Sequence, residues 1–285
     1  MLQFMDHVKN CFTVHRLLKN HTARQVQNLY WYDMRLVDAI AWRGIVKVLL
    51  RQVFGWKQDE IAGNYDLVNL YYADAIGDGL NESGATVWNY RGLDSRPWFD
   101  GPNPVKQALE ANAGVIIAEY QNIASRIETH PDNASLTDRG KWTGMFLYAA
   151  KGVRNDELCR LCPETTRIIE GLPLCTNFGF VMFSGLEPHS RITPHSGSSN
   201  LRLRHHLGID VPEPDKAKLR VGREWRGWAQ GKSMAFDDSF EHEVVLEGDQ
   251  ERVVLVVDVW HPSLATGDIE VLSHPVFQRF GKRPA

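Results

Sequence analysis

Two histidines lie where the chain turns at the end of a predicted β-strand. His195 closes the segment Ile192-Thr-Pro-His just before Ser-Gly, and His242 closes the segment Phe236-Asp-Asp-Ser-Phe-Glu-His. Strand ends that are far apart in sequence can meet at the mouth of a barrel. Two such imidazoles suit a divalent first-row metal such as iron and leave positions open for small ligands. The pair therefore predicts a metal site, although either histidine alone would more often be a surface or core residue.

A strand with one cationic face is predicted over residues 201–207. Alternation places Arg202, Arg204 and His206 on one face of this strand and its leucines, with His205, on the other. Cationic groups on one face repel each other, and buried charge without a partner is costly. Guanidinium groups bind carboxylates through two hydrogen bonds. We therefore expect an anionic ligand such as a dicarboxylate inside a barrel; an exposed face with solvated arginines is the alternative.

Two further motifs carry reactive side chains. Arg252 opens an apolar strand, so it is a second candidate for binding a carboxylate; alternatively it is an edge charge that limits aggregation. Cys159 and Cys162 have the spacing of a zinc or redox pair. A structural zinc site needs a second ligand pair, which Cys11 and Cys175 do not form. We therefore expect reduced cysteines without a metal or redox role.

The elements that must position these residues fall into two parts. Apolar residues recur mostly at three- and four-residue steps from Met5 to Phe54, which predicts one or two amphipathic helices, and a turn-rich break follows near residues 77–84. We predict a helical extension over residues 1–84 that packs on the core, and a catalytic domain over residues 85–285. A partner-binding or membrane-surface role for the extension is the alternative.

The second part changes period along its length. A helical stretch is predicted between Asn103 and Ile127, and short β-branched or aromatic runs separated by turn residues follow Thr176. The predicted strands are 178–184, 201–209, 233–236, 244–246 and 253–259. Many short strands without intervening helices indicate an antiparallel sandwich or barrel. The predicted fold class is therefore mainly β with helical additions.

Composition restricts the class of protein. The chain has 285 residues, 43% of them hydrophobic, and a formal net charge of -3, which predicts one large core and no basic stripe for nucleic acid. The pattern of a secretory signal is missing, and no uninterrupted apolar run reaches membrane-spanning length. We therefore expect a cytoplasmic protein with no nucleic-acid partner and no membrane span. The oligomeric state is left open.

Several ordered segments resemble the catalytic domain of the aspartyl/asparaginyl β-hydroxylase family. They are 183–186, 192–197, 200–208, 228–244 and 252–262, with weaker similarity upstream to about Tyr90. The first third of the chain is not covered. The resemblance implies a double-stranded β-helix, also called a jelly roll or cupin-like fold, which agrees with the predicted strands.

The resemblance implies two metal ligands and a set of residues for the cosubstrate 2-oxoglutarate. The implied ligands of Fe(II) are His195 and His242. The distal carboxylate of 2-oxoglutarate would bind Arg252 and Ser184, and the metal-proximal carboxylate would bind Arg204 and His206. Arg202 matches a position that contacts an acidic group of the substrate, whereas Met182 replaces a substrate-binding lysine.

Gly197 stands where most oxygenases of this class carry the carboxylate of a 2-His-1-carboxylate triad. The family resembles this sequence in having glycine there, which fits a two-histidine iron site. Asp238, four residues before His242, is predicted to hold a metal-bound water. Glycine would alternatively leave room for a halide, as in iron halogenases.

The predicted function is that of an Fe(II)- and 2-oxoglutarate-dependent dioxygenase, which uses O₂ to hydroxylate an unactivated C–H bond and releases succinate and CO₂. We expect a small-molecule, amino-acid or peptidyl substrate that carries a carboxylate, because of Arg202. One alternative uses the same iron site for halogenation, desaturation or cyclisation. Others are a non-catalytic jelly-roll binding protein and a zinc hydrolase or isomerase with Asp237, Asp238 or Glu241 as its general base.

Overall fold

The structure is a computed structural model that describes residues 71–74, 82–83, 85–90, 92–149 and 152–273. The amphipathic helices predicted over residues 5–54 lie outside the described residues, so the division at residue 84 stays a prediction. The described residues fall into two compact units, and the larger one, 74–87 with 94–262, contains every residue predicted to do chemistry. In the smaller unit, the Tyr90 hydroxyl donates a hydrogen bond of 2.9 Å to Asp268.

Short strands make up most of the larger unit. In chain order the strands of the described residues are β1 (Tyr71–Asp74), β2 (Thr86–Asn89), β3 (Glu128–Thr129), β4 (Thr137–Arg139), β5 (Trp142–Ala149), β6 (Val153–Arg154), β7 (Val181–Leu186), β8 (Arg191–His195), β9 (Arg202–Asp210), β10 (Ala217–Val221), β11 (Glu224–Gly227), β12 (Ser233–Phe236), β13 (His242–Leu246) and β14 (Arg252–Trp260). The five runs predicted as strands correspond to β7, β9, β12, β13 and β14.

The strands of the larger unit form two antiparallel sheets. One sheet has the order β12-β9-β14-β7-β5-β3, with β6 paired to β5, and the other has the order β11-β10-β13-β8-β4. Neighbours in space are mostly distant in sequence, as is typical of a jelly roll. The predicted fold class, mainly β with a double-stranded β-helix, is confirmed.

The helices of the described residues are α1 (Pro104–Ala111), α2 (Ala113–Ile123), a 3₁₀ turn (Ala124–Arg126), α3 (Asn133–Leu136), α4 (Asp156–Leu161), α5 (Pro163–Glu170) and, in the smaller unit, α6 (Thr266–Leu272). Helices α1, α2 and α4 contact strands of the seven-stranded sheet, whereas α3 contacts strands of the five-stranded sheet. Helix α1 begins where the Asn103 side chain accepts hydrogen bonds from the backbone N–H groups of Val105 and Lys106. Helices α1 and α2 cover the stretch predicted to be helical. Within the described part of the chain, no helix is long and apolar enough to cross a membrane.

The core has two parts, and strand β14 contributes to both. Val253, Leu255, Val257 and Val259 pack in a cluster with apolar side chains of α1 and α2, whereas Val254 and Val256 pack in a second cluster with side chains of the smaller sheet. A strand that is buried on both faces needs apolar residues at every position. This double burial explains the continuous apolar run after Arg252.

His205 is an exception inside the first cluster. It lies opposite Ala235 and Val257 in the sheet, it is fully buried, and neither of its ring nitrogens has a hydrogen-bond partner among the described residues. Burial lowers the pKa of His205 to about 4, from an ordinary value of 6.5. Burial of the neutral ring without hydrogen bonds therefore lowers the stability of the folded protein, and the charged ring is strongly disfavoured.

The substitution His205→Leu is expected to stabilise the protein and to flatten its acid sensitivity. The unfolded chain binds a proton at this residue below pH 6.5, whereas the folded chain binds it only near pH 4. Protonation therefore favours the unfolded chain, so the free energy of unfolding is highest above pH 6.5 and falls between pH 6.5 and pH 4. The loss over this window is on the order of 3 kcal/mol. Urea unfolding at several pH values measures it. Asn at this position would remove the titration and keep a buried polar group, so equal pH dependence in all three proteins would contradict the assignment.

Candidate metal and anion site

The two histidines predicted to bind metal are neighbours. His195 ends β8 and His242 begins β13, the two residues pair directly across the smaller sheet, and their ring centroids are 4.2 Å apart. Each Nδ1 lies within hydrogen-bond distance of a backbone carbonyl, at 2.7 Å from Thr193 O and 2.9 Å from Phe240 O. A carbonyl only accepts, so each Nδ1 carries the proton and each Nε2 keeps a lone pair. Both rings are therefore prepared to bind a metal through Nε2.

Burial keeps both rings in the neutral form that binds metals. It lowers the pKa of His195 below the ordinary value, and it lowers the pKa of His242 still further, with the nearby His195 adding to the effect. Among the described residues, no group of three His, Cys, Asp or Glu side chains is close enough to hold a metal ion. The donor set is thus two imidazoles, which fits iron(II) with its other positions free for exogenous ligands.

A cavity of about 420 Å³, counted to its open mouth, adjoins the histidines. Its wall is largely apolar and includes Met182, Phe236 and Val256. The polar or charged residues of the wall are Ser184, His195, Arg204, His206, His242 and Arg252. The fold therefore brings six of the eight predicted site residues to one cavity. The other two, Arg202 and Asp238, do not line it.

Arg252 carries the one guanidinium of this wall that has no carboxylate partner among the described residues. The residue is 2% exposed, its Nη1 donates to the backbone oxygen of Ser184 at 3.2 Å, and its Nε has no hydrogen-bond partner in the part of the chain that the structure describes. The guanidinium carbon lies 4.5 Å from the centroid of the Trp228 ring. Burial lowers the pKa of Arg252 to about 10, so the group stays charged at neutral pH. A buried cation without a counter-ion is costly, and an anion bound beside it would offset that cost.

Two neutral groups add hydrogen-bond donors to the same wall. Ser184 Oγ accepts a hydrogen bond of 2.9 Å from Trp142 Nε1, so its own proton is available to a ligand. Trp228 Nε1 lies 3.3 Å from His206 Nδ1, and because indole only donates, Nδ1 accepts and Nε2 carries the proton. Burial lowers the pKa of His206 well below its ordinary value, and Arg204 and Arg252 lower it further. Both groups can therefore donate to a carboxylate.

The remaining two arginines are already neutralised. Nε and Nη2 of Arg204 each lie 2.8 Å from a carboxylate oxygen of Asp258, and Arg202 Nη2 lies 2.6 Å from Asp238 Oδ2. Asp238 Oδ2 also lies 3.3 Å from Arg204 Nη2. The expectation that this face of β9 requires an anionic ligand is wrong, because two aspartates balance the two cations. A substrate contact at Arg202 and a cosubstrate contact at Arg204 stay predictions.

Asp238 and Gly197 occupy adjoining space. A Cβ atom at residue 197 would lie 2.3 Å from Asp238 Oδ2 and 2.5 Å from its Cγ, and Gly197 N donates to the backbone oxygen of Asp238 at 2.6 Å. Burial raises the pKa of Asp238, but Arg202 and Arg204 outweigh burial and hold it below the ordinary value, so the group is ionised. Oδ1 of Asp238 has no hydrogen-bond partner among the described residues. This free acceptor is compatible with the predicted hydrogen bond to a water at the metal.

The other acidic residues that were considered as general bases point elsewhere. Asp237 Oδ1 accepts from the backbone N–H and the hydroxyl of Ser239, at 2.9 Å and 2.6 Å. Glu241 lies 3.1 Å from Arg220 Nη2. Neither lines the cavity. A zinc hydrolase would therefore lack a general base from these residues beside its metal.

The cysteine pair is held as buried thiols. Cys159 Sγ donates to Leu147 O at 3.7 Å, and Cys162 Sγ donates to Leu158 O at 3.1 Å. Burial raises the pKa of both thiols, to about 12 for Cys162. The thiolate, which is the form that binds metals or exchanges disulfides, is strongly disfavoured here.

Sequence reasoning missed Asp258 as a member of this site. Asp258 pairs with Arg204 across the sheet, and its Oδ2 also accepts from Phe180 N at 3.0 Å. The signal was available, because an aspartate near the end of a doubly buried apolar strand needs a cationic partner. The indoles of Trp142 and Trp228, which orient Ser184 and His206, carried no such signal.

Known proteins resemble this chain over the same region. The sequence model of the family described as Aspartyl/Asparaginyl beta-hydroxylase matches residues 110–262. Aspartyl/asparaginyl beta-hydroxylase of Homo sapiens is 34% identical over 193 residues, which is 63% of this chain and 25% of that protein. Aspartate beta-hydroxylase domain-containing protein 2 of Mus musculus is 35% identical over 196 residues, which is 63% of this chain and 55% of that protein. Ornithine lipid ester-linked acyl 2-hydroxylase of Rhizobium tropici is 33% identical over 182 residues, which is 61% of this chain and 63% of that protein.

The chain thus spans between a quarter and less than two thirds of the length of these relatives. Among solved structures, an oxidoreductase of the 2OG-Fe(II) oxygenase family from Burkholderia pseudomallei is 14% identical, with a TM-score of 0.37 over 57% of this chain and 93% of that one. A prolyl-4-hydroxylase of Pseudomonas putida is 13% identical, with a TM-score of 0.33 over 60% of this chain and 94% of that one. Likeness at this level supports no argument about the site.

Proposed function

The chain belongs to the aspartyl/asparaginyl β-hydroxylase family, and from this premise we propose that it is an Fe(II)- and 2-oxoglutarate-dependent dioxygenase that hydroxylates an unactivated C–H bond. The observation that carries the proposal is Arg252, a buried guanidinium without a carboxylate partner among the described residues. It lines the same cavity as the paired rings of His195 and His242. A cavity with a two-imidazole metal site and a separate anion site suits a cosubstrate that carries both a chelating group and a distant carboxylate.

In this proposal each polar group of the wall has one task. His195 and His242 would hold iron through Nε2. When bound, iron and 2-oxoglutarate supply the oxidising chemistry with O₂, and succinate and CO₂ are released. Arg252 and the Ser184 hydroxyl would hold the distal carboxylate of the cosubstrate.

Arg204 and His206 would bind the metal-proximal carboxylate. Asp258 engages Nε and Nη2 of Arg204, so Nη1 is the donor that remains for a ligand. His206 would donate through Nε2, since Nδ1 faces the Trp228 indole. Because Asp258 and Trp228 hold these two side chains, little ordering is needed when the ligand arrives.

Two features would protect the reacting groups. The apolar part of the wall, which includes Leu219, Phe236 and Val256, leaves few groups that bind water. Asp238 would accept a hydrogen bond from a water at the metal through its free Oδ1. The aspartate would orient that water without ligating the metal.

For the substrate we propose a small molecule, an amino acid or a peptide. Met182 lines the cavity where the resemblance places a substrate-binding lysine, and Arg202 is held by Asp238. The relatives named above include one named for aspartyl and asparaginyl residues and one named for an ester-linked acyl chain. A carboxylate on the substrate thus has less support than Arg202 provided in the sequence, and the compounds tested should include uncharged and acyl compounds.

The setting of the reaction is also part of the proposal. We propose a cytoplasmic protein that acts without nucleic acid, in line with a formal net charge of -3. The described cysteines Cys159, Cys162 and Cys175 are free thiols, which fits a reducing compartment.

Succinate formation tests the proposed function. Protein loaded with iron(II) without oxygen is given 2-oxoglutarate and then O₂, with a panel of amino acids, peptides and acyl compounds. We expect succinate that depends on iron and 2-oxoglutarate and rises with a true substrate, whose product gains one oxygen atom. Gain of a halogen or loss of two hydrogens would indicate halogenation, desaturation or cyclisation instead. Turnover with zinc and without 2-oxoglutarate would contradict the proposal and favour a hydrolase or isomerase.

A further inference from the structure

The space into which a side chain at residue 197 would extend is occupied by a different carboxylate. Built at Gly197, a Cβ atom would lie 2.3, 2.5 and 2.7 Å from Oδ2, Cγ and Oδ1 of Asp238. Asp238 is completely buried, so its carboxylate fills this space rather than standing at the edge of solvent. Glycine is needed at residue 197 because the backbone there lies close to the Asp238 carboxylate. This carboxylate therefore fills part of the room that glycine was expected to leave for a halide.

The charged groups around this space also balance one another. Asp238 Oδ2 lies 2.6 Å from Arg202 Nη2 and 3.3 Å from Arg204 Nη2, and Asp258 pairs with the same two arginines at 3.5 Å and 2.8 Å. All four side chains are buried. Two cations and two anions make a neutral cluster, so a further anion would enter it without a counter-ion.

We propose that Asp238 excludes halides from the position beside the metal site and thereby restricts the chain to oxygen transfer. Its carboxylate is a built-in anion, which occupies the volume that a halide would need and uses the positive charge that would attract it. This inference rests on the proposed function, because it determines which group can reach the substrate. Removal of the carboxylate would leave Arg202 and Arg204 with Asp258 alone and open a cationic niche.

Chloride binding to metal-free protein tests the exclusion directly. Broadening of the chlorine-35 NMR line is measured against chloride concentration for the wild type, Asp238→Ala and Asp238→Asn, with gluconate holding the ionic strength constant. We expect saturable broadening that bromide displaces in the Ala variant only. Affinity in the Asn variant should be at least about tenfold weaker, because the amide still fills the niche. Absence of saturable chloride binding in the Asp238→Ala variant would overturn the proposal.

A second measurement uses the wild type and does not depend on the folding of any variant. Cobalt(II) replaces iron, saturating 2-oxoglutarate occupies the positions proposed for it, and the visible absorption bands of cobalt are recorded as chloride replaces gluconate. Unchanged bands support the exclusion, and a chloride-dependent change in the wild type overturns it. Neither experiment needs turnover, so a protein that binds chloride only in the Ala variant but forms no succinate would refute the proposed function and leave the role of Asp238 standing.

Discussion

Replacing Arg252 with methionine is expected to weaken binding of 2-oxoglutarate strongly and, in the absence of ligand, to stabilise the protein. The guanidinium is 2% exposed and has no carboxylate partner among the described residues, so folding buries an uncompensated charge. Burial lowers the pKa of Arg252 to about 10, and the group is charged throughout the neutral range, so its cost is present at pH 7. Methionine keeps an unbranched side chain in the same space without the charge.

Both effects of this substitution are large enough to measure. Loss of one partner of a buried charge pair typically costs 2–5 kcal/mol, so the Kd for 2-oxoglutarate should rise by about 100-fold or more. The free energy of unfolding without ligand should rise by about 1 to 2 kcal/mol, since a well-packed apolar group commonly replaces a buried ion favourably. Calorimetry on zinc-loaded protein gives the first quantity, and urea unfolding of metal-free protein gives the second.

Arg220 offers the matched control. It is also buried, but it pairs with Glu243 at 2.5 Å and with Glu241 at 3.1 Å. Arg220→Met would leave Glu241 without its cation and Glu243 with Arg191 alone, so this variant should lose stability and keep its affinity for 2-oxoglutarate. If Arg252→Met lost stability in the same way, or bound 2-oxoglutarate like the wild type, the anion site would be wrongly placed.

The variants His195→Ala and His242→Ala are each expected to lose tight metal binding and all succinate formation. The described residues supply only these two imidazoles to the metal site, so either substitution leaves a single protein ligand and no chelate. We expect metal affinity to fall by at least about 1,000-fold, which corresponds to roughly 4 kcal/mol. Calorimetric titration with cobalt(II) and the succinate assay measure the two losses.

His205→Leu is the control for these two variants, because it removes a buried imidazole that faces away from the cavity. It should bind cobalt(II) like the wild type. The pH dependence gives a further check, since burial lowers the pKa of both His195 and His242 below the ordinary value. Wild-type affinity should therefore stay nearly constant from pH 8 to pH 6.5 and fall only at lower pH. Wild-type affinity in either alanine variant would place the metal elsewhere.

Local sequence pattern was sufficient for much of the fold. The alternation of β9 places Leu203 and Leu207 in the core beside the helices and Arg204 and His206 at the cavity, as predicted. The continuous apolar run of β14 was recognised because a doubly buried strand has no polar face. Strands β10 and β11 and helices α4 and α5 were not predicted, because short elements with few apolar positions give a weak periodic signal. Strand β5 was not predicted either, because its continuous apolar run over residues 145–149 has no alternation that separates a strand from a helix.

The ionic state of the site depended on tertiary structure. Residue type and spacing were sufficient to identify the residues that could ligate a metal, the strand faces that carry charge and the family that the chain resembles. The folded structure was needed to show that Asp258 and Asp238 neutralise Arg204 and Arg202, and that no carboxylate of the described residues pairs with Arg252. Spacing along a strand specifies the face of a side chain, whereas charge balance depends on which distant strands become neighbours and in which register.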